Sequence, residues 1–444
     1  MTNQTPIFTA LKKYANKDIS SFHTPGHKNN ADFFKKINLM EKLDYTEING
    51  LDFLYNPSGI IKKAQENAAK LYNSKKSLFC TGGCTQTVKA MLMLAMPKGG
   101  KLLTGRIIHS SAVDAMAVLD IDPVFIKNSY KAGFFAGIKA EEVKNELERH
   151  KDIKAVYITS PDYFGVLSEI KEISKLTKQY NIPLMVDNAH GSHLKFLYED
   201  IDPITLGADL SANSLHKTLP VLTGGAMLNI NNDKFINAEE AIRFFGSTSP
   251  SYPVMASIDL AINWLKNNGK KEYEKLLQKT NEINKLIVEL KLNIPKSKTD
   301  LTRISINAEK FNLTEQEILK IFHDNFIEPE CIDDKNIILI PTPFNKDKDF
   351  ERLKKALKQL ASAKSFLKPE EKIFISGERI MSIRNAIMSE NEITETKKSL
   401  GKIAASAVYK CPPGIPIVIP GEIITKNIID NILNAGIMRI KVIK

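Results

Sequence analysis

The 444-residue chain has four cysteines, at positions 80, 84, 331 and 411, and a single tryptophan. So few thiols at such irregular spacing exclude the dense disulfide framework of a small secreted protein. Cys80 and Cys84, with three residues between them, come nearest to a metal-ligand pattern, but no second Cys/His pair follows at a matching interval, so no metal is expected. Long hydrophobic runs are also missing. Ile415 to Pro420 and Ile337 to Ile340 are far too short to span a bilayer. Met1-Thr-Asn-Gln-Thr-Pro does not open with a basic-then-apolar signal, so the expectation is a cytoplasmic protein with no membrane partner. Lys plus Arg (62) exceed Asp plus Glu (51), for a net charge of +11. The lysines are scattered among acidic residues rather than gathered into a basic block with interleaved aromatics, so nucleic acid is not an expected partner. There is neither an internal repeat nor a low-complexity block.

What the chain does contain is alternation. Strand candidates recur at Lys101 to Leu103, Pro123 to Ile126, Ala155 to Thr159, Leu184 to Val186 and Leu210 to Ala212, with helical spacing at Ala64 to Tyr72 and Ile170 to Tyr180. Leu78 to Leu94 reads as a short strand, a glycine turn and an amphipathic helix. This pattern predicts an α/β fold with a mostly parallel sheet covered by helices on both faces. The expected organisation is an N-terminal helix and arm over 1–55, a large domain over 56–285, and a smaller C-terminal α+β domain over 286–444. A lysine-rich helical stretch from Ile262 to Leu292 leads out of the large domain, and strands follow at Leu301 to Ile306 and Ile337 to Ile340.

Two residues carry the chemistry. Leu184-Met-Val-Asp-Asn-Ala-His-Gly-Ser-His193 is an apolar run that ends in Asp187, the pattern of a buried strand delivering a carboxylate to the edge of a site. Thirty residues later, Lys217 lies in Ser211-Ala-Asn-Ser-Leu-His-Lys-Thr-Leu-Pro220, flanked by small and hydroxylated residues rather than by charges. A lysine so placed can be partly buried and condense with an aldehyde. A carboxylate beside a pyridine nitrogen keeps that nitrogen protonated. Together they point to pyridoxal phosphate. Taken singly, each has an ordinary reading, a solvated lysine and a helix-capping aspartate.

Five ordered segments resemble the ornithine/lysine/arginine decarboxylase family of fold-type I pyridoxal phosphate enzymes. They are Ser21-Phe-His-Thr-Pro-Gly-His-Lys28, Asn56-Pro-Ser-Gly-Ile-Ile-Lys-Lys-Ala-Gln65, the Asp187 and Lys217 motifs, and Cys411-Pro-Pro-Gly-Ile-Pro-Ile-Val-Ile-Pro-Gly-Glu422. The chain is similar to a short form of the family, without the N-terminal wing domain of larger members.

The resemblance implies a set of site residues. Gly83, Cys84 and Thr85, in a turn leading into a helix, would receive the cofactor phosphate, with Thr85 supplying a hydroxyl and Cys84 mainly its amide. His109 would stack on the ring, with Ala189 under the other face and His190 beside it. Ser214 and His216 would hold phosphate and line the substrate channel, and His216 is a candidate proton shuttle. Ser247 and Thr248, in Gly246-Ser-Thr-Ser-Pro-Ser-Tyr252, would reach the neighbouring subunit's cofactor, making a homodimer or higher assembly with shared sites. Glu422 would meet the cationic end of a small basic amino acid.

Three departures from the family pattern stand out: Asn188 replaces the usual Glu, Asp52-Phe-Leu-Tyr55 replaces Asp-Asp-Leu-His, and Cys411 replaces a Tyr. The expected activity is decarboxylation of arginine, lysine or ornithine to a polyamine or its precursor. Transamination or β-elimination on the same cofactor, and a catalytically silent scaffold, are the alternatives.

Overall fold

The computed structural model describes residues 11, 14–35, 42–126, 130–131, 134–311, 313–333, 335–363, 377–409 and 414–444. The expected N-terminal helix falls mostly outside them, as does Cys411.

Seven strands make the central sheet: β1 (Lys76–Cys80), β2 (Gly100–Gly105), β3 (Ile121–Ile126), β4 (Ile153–Thr159), β5 (Leu184–Asp187), β6 (Leu210–Asn213) and β7 (Ala226–Ile230). Their order across the sheet is β1-β7-β6-β5-β4-β2-β3. β7 is antiparallel to both of its neighbours, and the remaining pairs are parallel.

Period-2 burial explains why the central strands read as continuous apolar runs. In β4, Ala155 and Tyr157 pack into one hydrophobic cluster, whereas Val156 and Ile158 pack into the other on the opposite face. α1 (Ile60–Tyr72), α2 (Gly83–Ala95) and α3 (Ser110–Leu119) contribute to the first cluster. α4 (Ala140–Arg149) and α5 (Ile170–Gln179) cover the second. All the parallel strands therefore end at one sheet edge, where the turns after β1, β2, β5 and β6 meet.

Beyond the sheet, helix Tyr252–Trp264 continues through a π turn, Leu265–Gly269, into Lys270–Glu289. The expected C-terminal domain resolves into two parts. β8 (Ile304–Asn307), β9 (Cys331–Asp333) and β10 (Asn336–Leu339) form an antiparallel sheet that packs Ile304, Ile306, Ile337 and Leu339 into the main core and Cys331 and Ile338 into a smaller cluster on its other face. Residues 377–444 hold a separate cluster built on Ile424, Ile428, Ile432 and Val442. The N-terminal arm belongs with the β8–β10 part, because Ser20–Phe22 pairs in parallel with Ile327–Pro329.

Among the described residues, no helix is long and apolar enough to cross a membrane, and no group of three or more His, Cys, Asp or Glu is placed to hold a metal ion.

Candidate active site

Asp187 closes β5 with 2 % of its surface exposed. Its Oδ2 accepts the Tyr157 hydroxyl at 2.9 Å, and its Oδ1 accepts the Ala189 amide at 3.1 Å. Both oxygens are thus aimed by the sheet itself. The neighbouring strand, β6, ends at Asn213 and leads through Ser214 into a four-residue helix, Leu215–Thr218, that presents Lys217. Lys217 Nζ lies 2.9 Å from His190 Nε2. Burial pulls the lysine below its ordinary pKa, while Cys84 and Asp187 pull it back up.

Gly82 starts α2 with no side chain capping the helix amides, and Gly83 takes φ +72°, a conformation that favours glycine. The Gly82 and Gly83 amides are taken by Gln86 Oε1 at 3.0 Å and Gly224 O at 2.8 Å, so the amides that suit a phosphate are those of the first helical turn from Cys84 onward. The thiol of Cys84 lies close enough to Asp187 and Lys217 to feel both charges, and burial pushes its pKa well up. Thr85, one residue further round the helix, is exposed. In this chain the side chain turned toward Asp187 and Lys217 is that of Cys84, which adds a thiol to the amide expected of it.

His109 caps α3, its Nδ1 meeting Ser111 Oγ at 2.9 Å, and it feels the charges of Asp187 and Lys217. Its pKa is lowered, mainly by burial. His216 holds Gly225 O through Nδ1 at 3.1 Å, which places a proton on that nitrogen because a carbonyl only accepts.

The His-Thr-Pro-Gly-His arm closes over the lysine turn. Gly26 donates to His216 O at 2.8 Å, and a Cβ at position 26 would stand 2.7 Å from the backbone of Thr218, so only glycine fits there. Asp187, Lys217, His109, His190, Cys84 and His216 are assembled from four separate turns, those after β1, β2, β5 and β6. The buried carboxylate, the partly buried amine and the open helix N-terminus fit pyridoxal phosphate.

The chain matches the Orn/Lys/Arg decarboxylase major domain over residues 5–352 and the C-terminal domain of the same family over 374–436. The chain belongs to the Orn/Lys/Arg decarboxylase family. The arginine decarboxylase of Bacillus subtilis is 31 % identical over 98 % of this chain and 95 % of its own length. The inducible lysine decarboxylase of Escherichia coli is 26 % identical over 60 % of this chain and 41 % of its own length. The constitutive lysine decarboxylase of Escherichia coli shares the fold with a TM-score of 0.74 at 19 % identity, covering 99 % of this chain and 82 % of that one. The protein is a fold-type I pyridoxal phosphate-dependent amino-acid decarboxylase for basic substrates.

Within this decarboxylase, Glu422 does not stand open to a substrate. It is 1 % exposed, receives Arg106 Nη2 at 3.1 and 3.4 Å, and accepts the Ile419 amide at 2.9 Å. The Pro-Gly-Glu motif is instead a fastening of the C-terminal segment to the turn after β2. Breaking a buried pair leaves an uncompensated charge. Glu422→Ala is therefore expected to lower stability by about 3–5 kcal/mol, read as a fall in the urea midpoint, whereas borohydride labelling of the cofactor lysine at low temperature persists.

Several residues of the site could not be placed there from the sequence. Tyr157 supports Asp187 from inside β4. Glu330 accepts Thr24 N at 2.8 Å and Tyr163 Oη at 3.4 Å, and its charge reaches Lys217 and His216. Arg303 touches His190. Lys28 donates to His23 O, and burial holds its pKa down to about 7.

Of the departures, Asn188 donates to Asn213 Oδ1 at 2.7 Å, locking two strand ends together. Asp52 accepts amides of Phe53, Ser58, Gly59 and Ile61, which makes it the staple at the start of α1. Tyr55 donates to Ser247 O at 2.8 Å. The loop bearing Ser247 and Thr248 is exposed and tied down by that tyrosine.

Proposed function

We propose that Lys217 carries the cofactor, that Asp187 faces its pyridine nitrogen, that His109 and Ala189 flank its ring, and that the Gly83–Cys84 turn with Ser214 receives its phosphate. The observation that carries this reading is one part-buried lysine amine and one buried carboxylate at adjacent strand ends, near enough for the carboxylate's charge to act on the amine, beside a helix N-terminus with no side-chain cap. Pyridoxal phosphate bound there supplies an electron sink for the pair released when the Cα–carboxylate bond breaks. The protein's part is to hold the ring, exclude water and manage protons. His190 holds a proton against Lys217 Nζ, and His216 stands one residue away with a proton on Nδ1.

Among basic amino acids we place arginine first. In sequence, relatives named arginine decarboxylase align along nearly the whole chain, whereas the Escherichia coli lysine decarboxylases, although the constitutive one shares the fold throughout, align over about two thirds of it or less. With Glu422 committed to Arg106, Glu330 is the acid that supports recognition of a cationic substrate, since its charge already reaches the lysine. Incubating the enzyme with arginine, lysine, ornithine and glutamate should release carbon dioxide and the matching amine from the basic substrates, fastest from arginine. Formation of a keto acid, or activity on glutamate alone, rejects this assignment.

The exposed Ser247-Thr248-Ser249 loop supports a homodimer with shared sites. A Lys217→Ala subunit exchanged with one in which all three loop residues are alanine should recover part of the activity, because one of the two sites would then combine an intact lysine with an intact loop. No recovery after verified exchange would place the loop outside the partner's site.

A further inference from the structure

Arg303, at the entry to β8, is 5 % exposed, yet its Nη1 has no hydrogen-bond partner among the described residues. Its Nη2 lies 3.3 Å from His190 Nδ1 and 3.5 Å from His190 O. A guanidinium donates and never accepts, so His190 Nδ1 has to be the acceptor. The single proton of a neutral imidazole then resides on Nε2, the nitrogen 2.9 Å from Lys217 Nζ. Neutral is the form the surroundings favour, because burial, Lys217 and Arg303 together hold His190 well below its ordinary pKa. The ring orientation is further fixed by Tyr163, edge-on at 5.2 Å.

We propose that Arg303 is a positioning residue: it fixes His190 as the Nε2–H tautomer, which donates to Lys217 and selects the uncharged amine. An ammonium has only N–H bonds and no lone pair, so it opposes a second donor, whereas the free amine accepts from it. The consequence is a lysine kept ready to attack. Its nitrogen forms a bond to an aldehyde carbon, the carbonyl oxygen leaves as water, and both amine protons are lost in the process. Six other groups act on Lys217: Cys84, Asp187 and Glu330 favour its charge, and His109, His216 and Arg303 itself oppose it. Arg303 thus works twice, through its own charge and through the tautomer, and a test has to separate the two.

The inference rests on the reading that Lys217 takes the cofactor. The experiment measures how fast the full-length apo-protein develops imine absorbance with pyridoxal phosphate across a pH series. Arg303→Gln and Arg303→Met both remove the charge, but only the glutamine retains an N–H able to reach Nδ1. Arg303→Met is expected to slow capture about tenfold near pH 7 and to move the midpoint of the rate's rise up by about one pH unit, because tenfold less free amine is one unit. Arg303→Gln should stay within about threefold of the parent. In a His190→Phe background, Arg303→Met should add no further slowing of this kind.

Equal effects of the two substitutions, or an undiminished effect of Arg303→Met without His190, would overturn the proposal. If Arg303→Met does not fold, His190→Phe alone decides: the midpoint should rise, and an unchanged midpoint sinks the idea. Borohydride mapping of the parent separates the two levels. A label away from Lys217 rejects the site assignment, and a label on Lys217 with unchanged midpoints rejects the role of Arg303 alone.

Discussion

Lys217→Ala is expected to reduce turnover by on the order of 10⁴-fold or more, the scale on which removal of a covalent-catalysis group acts, and to abolish the yellow imine absorbance. The fold should survive the change. The side chain has a hydrogen bond to His190, worth about 1 kcal/mol, and among the described residues no carboxylate lies within ion-pair distance of it, although it feels the charge of Asp187. Arginine at this position should not rescue, since a guanidinium is a poor nucleophile and remains charged. Borohydride reduction of the parent followed by peptide mapping should find the pyridoxyl group on Lys217. A variant that keeps colour and turnover would move the site to another lysine.

At Asp187 the effect should divide differently between binding and rate. Asp187→Asn keeps the shape, with its one oxygen accepting the Ala189 amide and its NH2 donating to the Tyr157 hydroxyl oxygen, but it removes the charge that would hold a pyridine nitrogen protonated. Turnover should fall about 10²–10³-fold, the size associated with losing one preorganised electrostatic group. Cofactor retention should change much less, because the lysine and the helix amides are untouched. Asp187→Ala adds a stability loss of about 1–3 kcal/mol, because it strands a buried tyrosine hydroxyl. Near-normal kcat in a loaded Asp187→Asn enzyme would remove the residue from the mechanism.

The two poles of the site were legible because each sits at the end of an apolar strand, where local sequence dictates both burial and direction. Asp187 follows Leu-Met-Val, and Lys217 follows the turn out of β6. Arg303 and Glu330 were not legible as site residues. Both come from the β8–β10 part, and no local periodicity announces that the fold brings them beside His190 and Tyr163. Glu422 was misread for a related reason: its partner, Arg106, lies 316 positions earlier, so the motif shows an acid without showing that it is already matched. Cys84 and Thr85 differ by one step of about 100° around a helix, and which of the two faces inward depends on where α2 begins. The strand Ala226–Ile230 escaped notice because it runs antiparallel at the end of the parallel series, after a glycine turn rather than after a helix.

The contact of Gly26 with the lysine turn has a consequence for assembly of the enzyme. The turn that presents Lys217 is only four residues long, too short to hold its shape alone. It is clasped by Gly26 from the arm and by Tyr273, whose hydroxyl donates to Thr218 O at 2.9 Å. His109, across the site, faces Gly414. A chain still emerging from the ribosome has made Asp187 and Lys217 long before it has made Tyr273 or Gly414, so both poles exist before the pocket does. With Lys217 as the proposed anchor, capture of the vitamin B6 coenzyme is expected to be a late event in biogenesis, and imine colour, once it develops, to report that the arm, the long helix and the C-terminal segment have docked.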